Sequence, residues 1–380
     1  MDFSKLKTEF DRWINEKGVP GGQIIVMKDY DEVFRCTGGF FDKEKTKEAG
    51  YSDLYWLYSM TKVFTATCIM RAKEQGLLQL DDPVEKYIPT FKNLLVRVDD
   101  RVRPCNTTLT IRHLMTMTGG FSYNVAAYPE VEIVRKDPNA TTLDVAKAFG
   151  YGVLSFEPGS DYQYSFCHDI AAAVLEVATG KTYYEYLKSE IFEPLGITDM
   201  GFNPTEEQLL RFPQKWRYEK ADDRFVFNPA PEYNGFILSK KYESGGAGLF
   251  GNAEQYIKLA NALANGGVAK NGYRVLTKES IDEMRTPALR GRLLWQFIKK
   301  SNLIGYGYGL GVRTLIYDEC SKGPLGEFGW DGAAGSYVSI DVENHISIVY
   351  TQYVMGQLPI YLEAHPSFRD AVYEALGLAK

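Results

Sequence analysis

Ser59-Met60-Thr61-Lys62 sets a hydroxyl and an amine three residues apart, directly after the apolar, strand-like stretch 54–58. Residues three apart on a helix share one face, so a serine at the helix start sits beside a lysine one turn on. Such a pair can share a proton and attack an acyl carbon. The helix N-terminus adds outward N–H groups and the positive end of the helix dipole, which stabilise an oxyanion and disfavour a protonated lysine. Burial pushes the amine further towards neutrality, where it can accept a proton. Spacing alone carries little weight, because about one chance match is expected in a chain of this length. Ser4 with Lys7 is visibly another.

The elements around the pair must position it. Val63, Phe64, Thr67, Met70 and Leu77 recur at helical spacing, which predicts an amphipathic helix with Lys62 between its faces and Gly76 as its stop. In Asp82-Pro83-Val84-Glu85, Asp82 can cap, Pro83 can take the first helical position and Glu85 can close a capping box. Taken together, residues 59–89 resemble the nucleophile region of the serine β-lactamase and penicillin-binding-protein superfamily, in particular class C β-lactamases and the esterases related to them.

That resemblance extends to two further segments. Acyl transfer needs a proton route to the leaving group and preorganised donors for the oxyanion. Pro158-Gly159 is followed by Tyr164-Ser165-Phe166 ahead of a helix over 168–180. In the superfamily a P-G-x-x-x-x-Y-S-N loop precedes such a helix and its tyrosine faces the Ser-Lys pair, so the match makes Tyr164 the candidate proton shuttle, as phenolate or as relay. Phe166 departs from the pattern, since it lacks the amide that would bond an amide side chain of the substrate. Trp330-Asp331-Gly332 occupies the place of the superfamily's Lys-Thr-Gly triad. A lysine there would pair with a substrate carboxylate, so its replacement implies an uncharged acyl group. W-x-G triads of this kind are similar to those of the family's carboxylesterase branch. The match also implies an oxyanion hole from the N–H groups of Ser59 and Ala333.

Two more stretches match without obvious chemistry. The helix over 110–120 resembles one that ends beside the family's cleft, which implies that Phe121 and Tyr123 line the substrate pocket. The glycine-rich run 243–252 resembles a crossover loop, read here as backbone that needs positive φ.

A wider pass gives the frame. Helices are expected over 2–17 and about 367–376, and strands over 23–28, 32–38, 310–317, 336–342 and 345–354. Thr110, Thr141 with Asp144, and Asn252 with Gln255 read as helix starts. The fold class is therefore α+β: an antiparallel sheet flanked by N- and C-terminal helices, with an inserted mainly helical lobe. Residues 1–80 and 240–380 would form the sheet lobe and 81–239 the inserted lobe, with the active site between them.

The 380 residues carry 45% apolar and 24% charged side chains, enough for a large core. A net charge of −6 and the lack of a basic, aromatic-interleaved cluster argue against nucleic acid as partner. No apolar run approaches a membrane span, and the N-terminal sixteen or so residues mix charges through a helix pattern, so a cytoplasmic address is expected. The five scattered cysteines read as reduced thiols, and the four histidines have no partner at metal-ligand spacing. Neither a cofactor nor a metal is required by this chemistry. Oligomeric state stays open.

A Ser-His-Asp reading lacks a Gly-x-Ser-x-Gly elbow and has only His168, beside Asp169, near a motif. Cys167 has no base partner that would project with it. The expected reaction is cleavage of a small-molecule ester, or an amide, through an acyl-enzyme on Ser59. A β-lactamase or D-peptidase of the same fold, an acyltransferase, and a silent binding protein are the alternatives.

Overall fold

Leu6, Phe10 and Trp13 recur at helical spacing and are all buried, so the first helix presents one apolar stripe to the sheet beneath it. The computed structural model describes residues 1–228, 234–356 and 358–379. From the N-terminus its main elements are α1 (Ser4–Asn15), β1 (Gly21–Lys28), β2 (Asp31–Gly39), α2 (Thr61–Glu74), α3 (Cys167–Thr179) and α4 (Ala253–Ala264). Then follow α5 (Gly291–Ser301), β3 (Tyr306–Tyr308), β4 (Arg313–Leu315), β5 (Phe328–Asp331), β6 (Tyr337–Asp341), β7 (Ile346–Gln352) and α6 (His365–Ala375).

The seven strands form one sheet in the order β3-β4-β5-β6-β7-β1-β2, with each neighbouring pair antiparallel. The last long strand therefore lies against the first, with Ile24 opposite Tyr350 and Ile25 opposite Val349. Both faces are covered. Ile24, Val26, Ile348 and Tyr350 pack with Phe10 of α1 and Phe368 of α6, whereas Ile25, Val338 and Val349 join the larger core beneath α2, α3 and α4. The two-residue period of a strand divides these side chains between the layers. Each fully buried large apolar side chain of this kind contributes roughly 1.5–3 kcal/mol relative to exposure. The expected α+β architecture, with its terminal helices on one face, is what the chain adopts.

Several local expectations are corrected. The strand expected over 310–317 is only Arg313–Leu315, and its partner Tyr306–Tyr308 was not anticipated. Asp82 caps no helix: Val84–Lys86 is a 3₁₀ turn, and the Asp82 carboxylate instead bonds the Gln79 N–H, Lys86 Nζ and Tyr87 Oη. The chain between these elements also holds small sheets, including Leu95–Val98 paired with Arg101–Pro104 and Trp216–Glu219 paired with Arg224–Phe227. Among the described residues, no helix is long and apolar enough to cross a membrane.

Candidate active site

Ser59 sits in a 3₁₀ turn, Tyr58–Met60, that leads directly into α2. Just before it, Tyr58 adopts φ of +46°, a left-handed conformation that costs a non-glycine residue on the order of 1–2 kcal/mol. The packed surroundings hold it there, with Tyr58 only 1% exposed and its ring edge-on to Phe236. The short strand Tyr55–Trp56, paired with Phe250–Gly251, fixes the entry to the turn.

α2 is not amphipathic. Lys62, Thr65 and Thr67 are all buried along with its apolar side chains, while Leu77, expected on the apolar stripe, is 40% exposed. The threonines tolerate burial because their hydroxyls bond carbonyls, Thr65 to Gly245 O at 2.6 Å and Thr67 to Val63 O within the helix at 2.8 Å. Lys62 is the buried charge on this helix, and its surroundings determine what it can do.

Lys62 Nζ lies 3.2 Å from Ser59 Oγ, 3.1 Å from Tyr123 Oη and 2.7 Å from Gly246 O. Burial lowers its pKa to about 7, with the nearby Asp169 and Cys167 opposing that shift. A neutral amine has two N–H donors and one lone pair. If the donors go to Gly246 O and Tyr123 Oη, the lone pair remains for the Ser59 hydroxyl.

Tyr164 stacks beneath the amine, with Lys62 Nζ 4.4 Å from its ring centroid, and its hydroxyl accepts a 2.9 Å bond from Trp330 Nε1. Burial raises the Tyr164 pKa, and hydrogen bonds with Ser59 and Trp330 oppose this only in part. Burial thus favours the neutral phenol over the phenolate.

A cleft of about 280 Å³ is lined by Ser59, Tyr164, Trp330, Asp331, Gly332 and Ala333, so β5 and the loop after it stand across from the nucleophile. Tyr162, Lys300 and Ser301 of α5, Leu303 and Tyr361 complete its walls. Trp330 faces this space at 7% exposure. Asp331, while lining the cleft, is paired with Arg313, whose guanidinium lies 3.1 Å from it, and burial raises its pKa.

Three residues expected at the pocket, Phe121, Phe166 and Tyr123, are absent from its lining. Phe121 is fully buried among Phe91, Tyr128 and Phe149, where the chain needs an aromatic core residue. Phe166 is 2% exposed and packs between Tyr123 and Phe149, with centroids 4.6 and 5.0 Å away. It serves as the seat of the Tyr123 ring. Tyr123, expected to line the pocket, reaches Lys62 instead.

The glycine-rich run contributes directly to the site, which the sequence did not suggest. None of Gly245, Gly246, Gly248 and Gly251 has positive φ. They are small because the chain passes too close to its neighbours: a Cβ on Gly246 would lie 2.4 Å from Asp169 Oδ2, and one on Gly245 2.5 Å from His168 O. Asp169 accepts from Tyr242 Oη at 2.7 Å and Ser244 Oγ at 2.5 Å, which fixes the run so that Gly246 O meets Lys62. The alternative base His168 and the alternative nucleophile Cys167 are both buried. His168 is fully buried off the cleft, with its pKa pushed down to about 3, and burial holds the Cys167 thiol up at about 11.

The profile of the Beta-lactamase family matches residues 6–357. The chain belongs to the Beta-lactamase family. It is 28% identical to Esterase EstB of Burkholderia gladioli, over 97% of this chain and 95% of that protein. It is 30% identical to monacolin J acid methylbutanoyltransferase of Aspergillus terreus, over 80% of this chain and 76% of that one. Among solved structures it superposes on EstCE1, described as a hydrolase with promiscuous acyltransferase activity, with a TM-score of 0.79, 23% identity and 97% of each chain covered. Family membership and the esterase relative make the chain a serine hydrolase.

Proposed function

We propose that the protein cleaves carboxylic esters through an acyl-enzyme on Ser59. The observation that carries this reading is Lys62 Nζ, buried, lowered to a pKa of about 7 and 3.2 Å from Ser59 Oγ at the floor of an aromatic-walled cleft. Neutral Lys62 takes the Ser59 proton as Oγ bonds the ester carbonyl carbon. The oxyanion forms against the N–H groups of Ser59 and Ala333. The proton then passes from Lys62 through the Tyr164 hydroxyl to the alkoxide as the carbon–oxygen bond breaks. Water repeats the sequence and releases the acid.

Trp330 favours an ester with an uncharged acyl group over a β-lactam, because an indole at that point supplies no cation for a carboxylate. It donates to Tyr164 instead. The esterase EstB supports the same choice. A second reading, transfer of the acyl group to an alcohol other than water, is favoured by the methylbutanoyltransferase relative. Chromatography of products formed with and without added alcohols separates the two. The ester reading itself requires that Ser59→Ala lose hydrolysis of short-chain p-nitrophenyl esters; full activity in that variant would end it, as would cephalosporin turnover faster than that of esters.

A further inference from the structure

The loop after β5 is held from behind by the chain that leads into α6. Tyr361 Oη donates to Gly332 O at 2.6 Å, and His365 Nε2 donates to Gly335 O at 2.9 Å. Both side chains project from the turn Ile360–Ala364 and the residue after it, a stretch wound as a π-helix, and their rings meet edge-on with centroids 5.4 Å apart. Single π turns of this kind recur at functional sites. His365 is buried and neutral, with its pKa pushed down to about 3, so its role here is that of an uncharged donor.

The carbonyl held by Tyr361 and the N–H of Ala333 belong to one planar trans peptide, in which the C=O and the N–H point in opposite directions. Fixing Gly332 O on the Tyr361 side therefore fixes the Ala333 N–H on the opposite side. Gly332 is tightly confined there: a Cβ on it would lie 2.1 Å from Ser336 Oγ and 2.4 Å from Leu57 O, the carbonyl two residues before Ser59. Gly332 O also accepts from the Gly335 N–H at 2.9 Å, and Gly332 N–H donates to Ser336 O at 2.8 Å. A donor on the carbonyl draws electron density from the amide and makes its N–H a stronger donor in turn. It also opposes a peptide flip, which would turn a carbonyl dipole towards a developing negative charge.

We propose that Tyr361 is a positioning residue for the oxyanion hole, acting through the Gly332–Ala333 peptide and not through contact with the reacting atoms. The inference rests on the reading of Ala333 N–H as an oxyanion donor. Its effect belongs to the transition state, where the charge appears, and not to the bound ester. Losing a direct oxyanion donor lowers kcat by roughly 100- to 1,000-fold, and an indirect one that leaves the Gly335 N–H in place should cost about tenfold.

The test compares wild type with Tyr361→Phe, which deletes only the hydroxyl. The expected result is a kcat for p-nitrophenyl butyrate reduced about tenfold with KM within about twofold. Affinity for phenylboronic acid, which forms a tetrahedral anion on serine, should fall by the same factor. Replacement of Tyr361 by 3-fluorotyrosine, which keeps the donor, should retain wild-type kcat. Unchanged kcat and boronate affinity in Tyr361→Phe would overturn the proposal, and so would a loss confined to KM or a loss that fluorotyrosine does not prevent. Ser59→Ala run in parallel separates the two levels: if that variant stays active, the ester reading fails irrespective of Tyr361.

Discussion

Replacing Lys62 by methionine removes the base while keeping an unbranched chain of similar volume in the same buried space. In the folded protein Lys62 titrates at about 7 against its ordinary 10.5. Between those values the native lysine is neutral and the unfolded one is charged, so unfolding takes up a proton and stability rises with pH. At about 1.36 kcal/mol per pH unit the full effect is on the order of 5 kcal/mol, present as a penalty below pH 7 and relieved by pH 10.5. From pH 7 to pH 9, wild type should gain roughly 2–3 kcal/mol on the methionine variant. The variant has its own deficit, because Gly246 O and Tyr123 Oη lose their partner at about 1–3 kcal/mol for each buried group. That deficit does not vary with pH in this range, so the slope isolates the lysine. Urea unfolding of both proteins at matched pH measures it. Activity supplies the second reading: wild-type kcat/KM should rise with pH through about 7, and Lys62→Met should lose roughly 10²- to 10⁴-fold together with that limb. Parallel stability curves, or kcat/KM within tenfold of wild type, would refute the argument that a buried neutral Lys62 is the base.

Tyr164→Phe should lower kcat by roughly 100-fold for alkyl esters and much less for p-nitrophenyl esters, whose leaving group needs no proton; equal losses in steady-state assays of both would exclude the relay. Tyr123→Phe removes one acceptor from the charged amine, so the acid limb of kcat/KM should move below pH 7 by about half a unit, and a move upward would contradict the hydrogen-bond accounting. Gly246→Ala should cost roughly 1–3 kcal/mol in urea unfolding, since its Cβ would meet Asp169 Oδ2, and wild-type stability would show that the loop yields freely.

What could be read from the chain was whatever local spacing encodes. Ser59 and Lys62 are one helical turn apart, Tyr164 follows a Pro-Gly loop at a fixed distance, and Trp330 opens a strand-end triad. The structure brings Ser59, Tyr164, Trp330 and Ala333 to one cleft, with Lys62 bonded to Ser59 at its base. What stayed hidden depends on contacts between distant segments. Tyr123 meets Lys62 across 61 residues of chain, and no period or cap signals it. Gly246 acts through a carbonyl, which every residue possesses, so its identity says only that the chain passes close to something. Arg313 neutralises Asp331 from the next strand, which makes a residue that looks like a substrate contact an internal ion pair. α2 looked amphipathic because Lys62 and Thr65 count as polar in a pattern, yet the carbonyls of Gly245 and Gly246 satisfy them in the interior. Hydrophobic pattern and strand alternation sufficed for the long strands β1, β2, β6 and β7 and for the terminal helices, where packing, not polar satisfaction, decides the outcome; the short strands β3 and β5 carry too few residues to show a period.

The central claim is that Ser59 carries the acyl group, and covalent trapping tests it most directly. After treatment with a fluorophosphonate ester, peptide mass spectrometry should place one phosphonyl adduct on Ser59, with activity lost in proportion to labelling. Lys62→Met should label far more slowly. An adduct on another residue, or complete inactivation with Ser59 unmodified, would contradict the account.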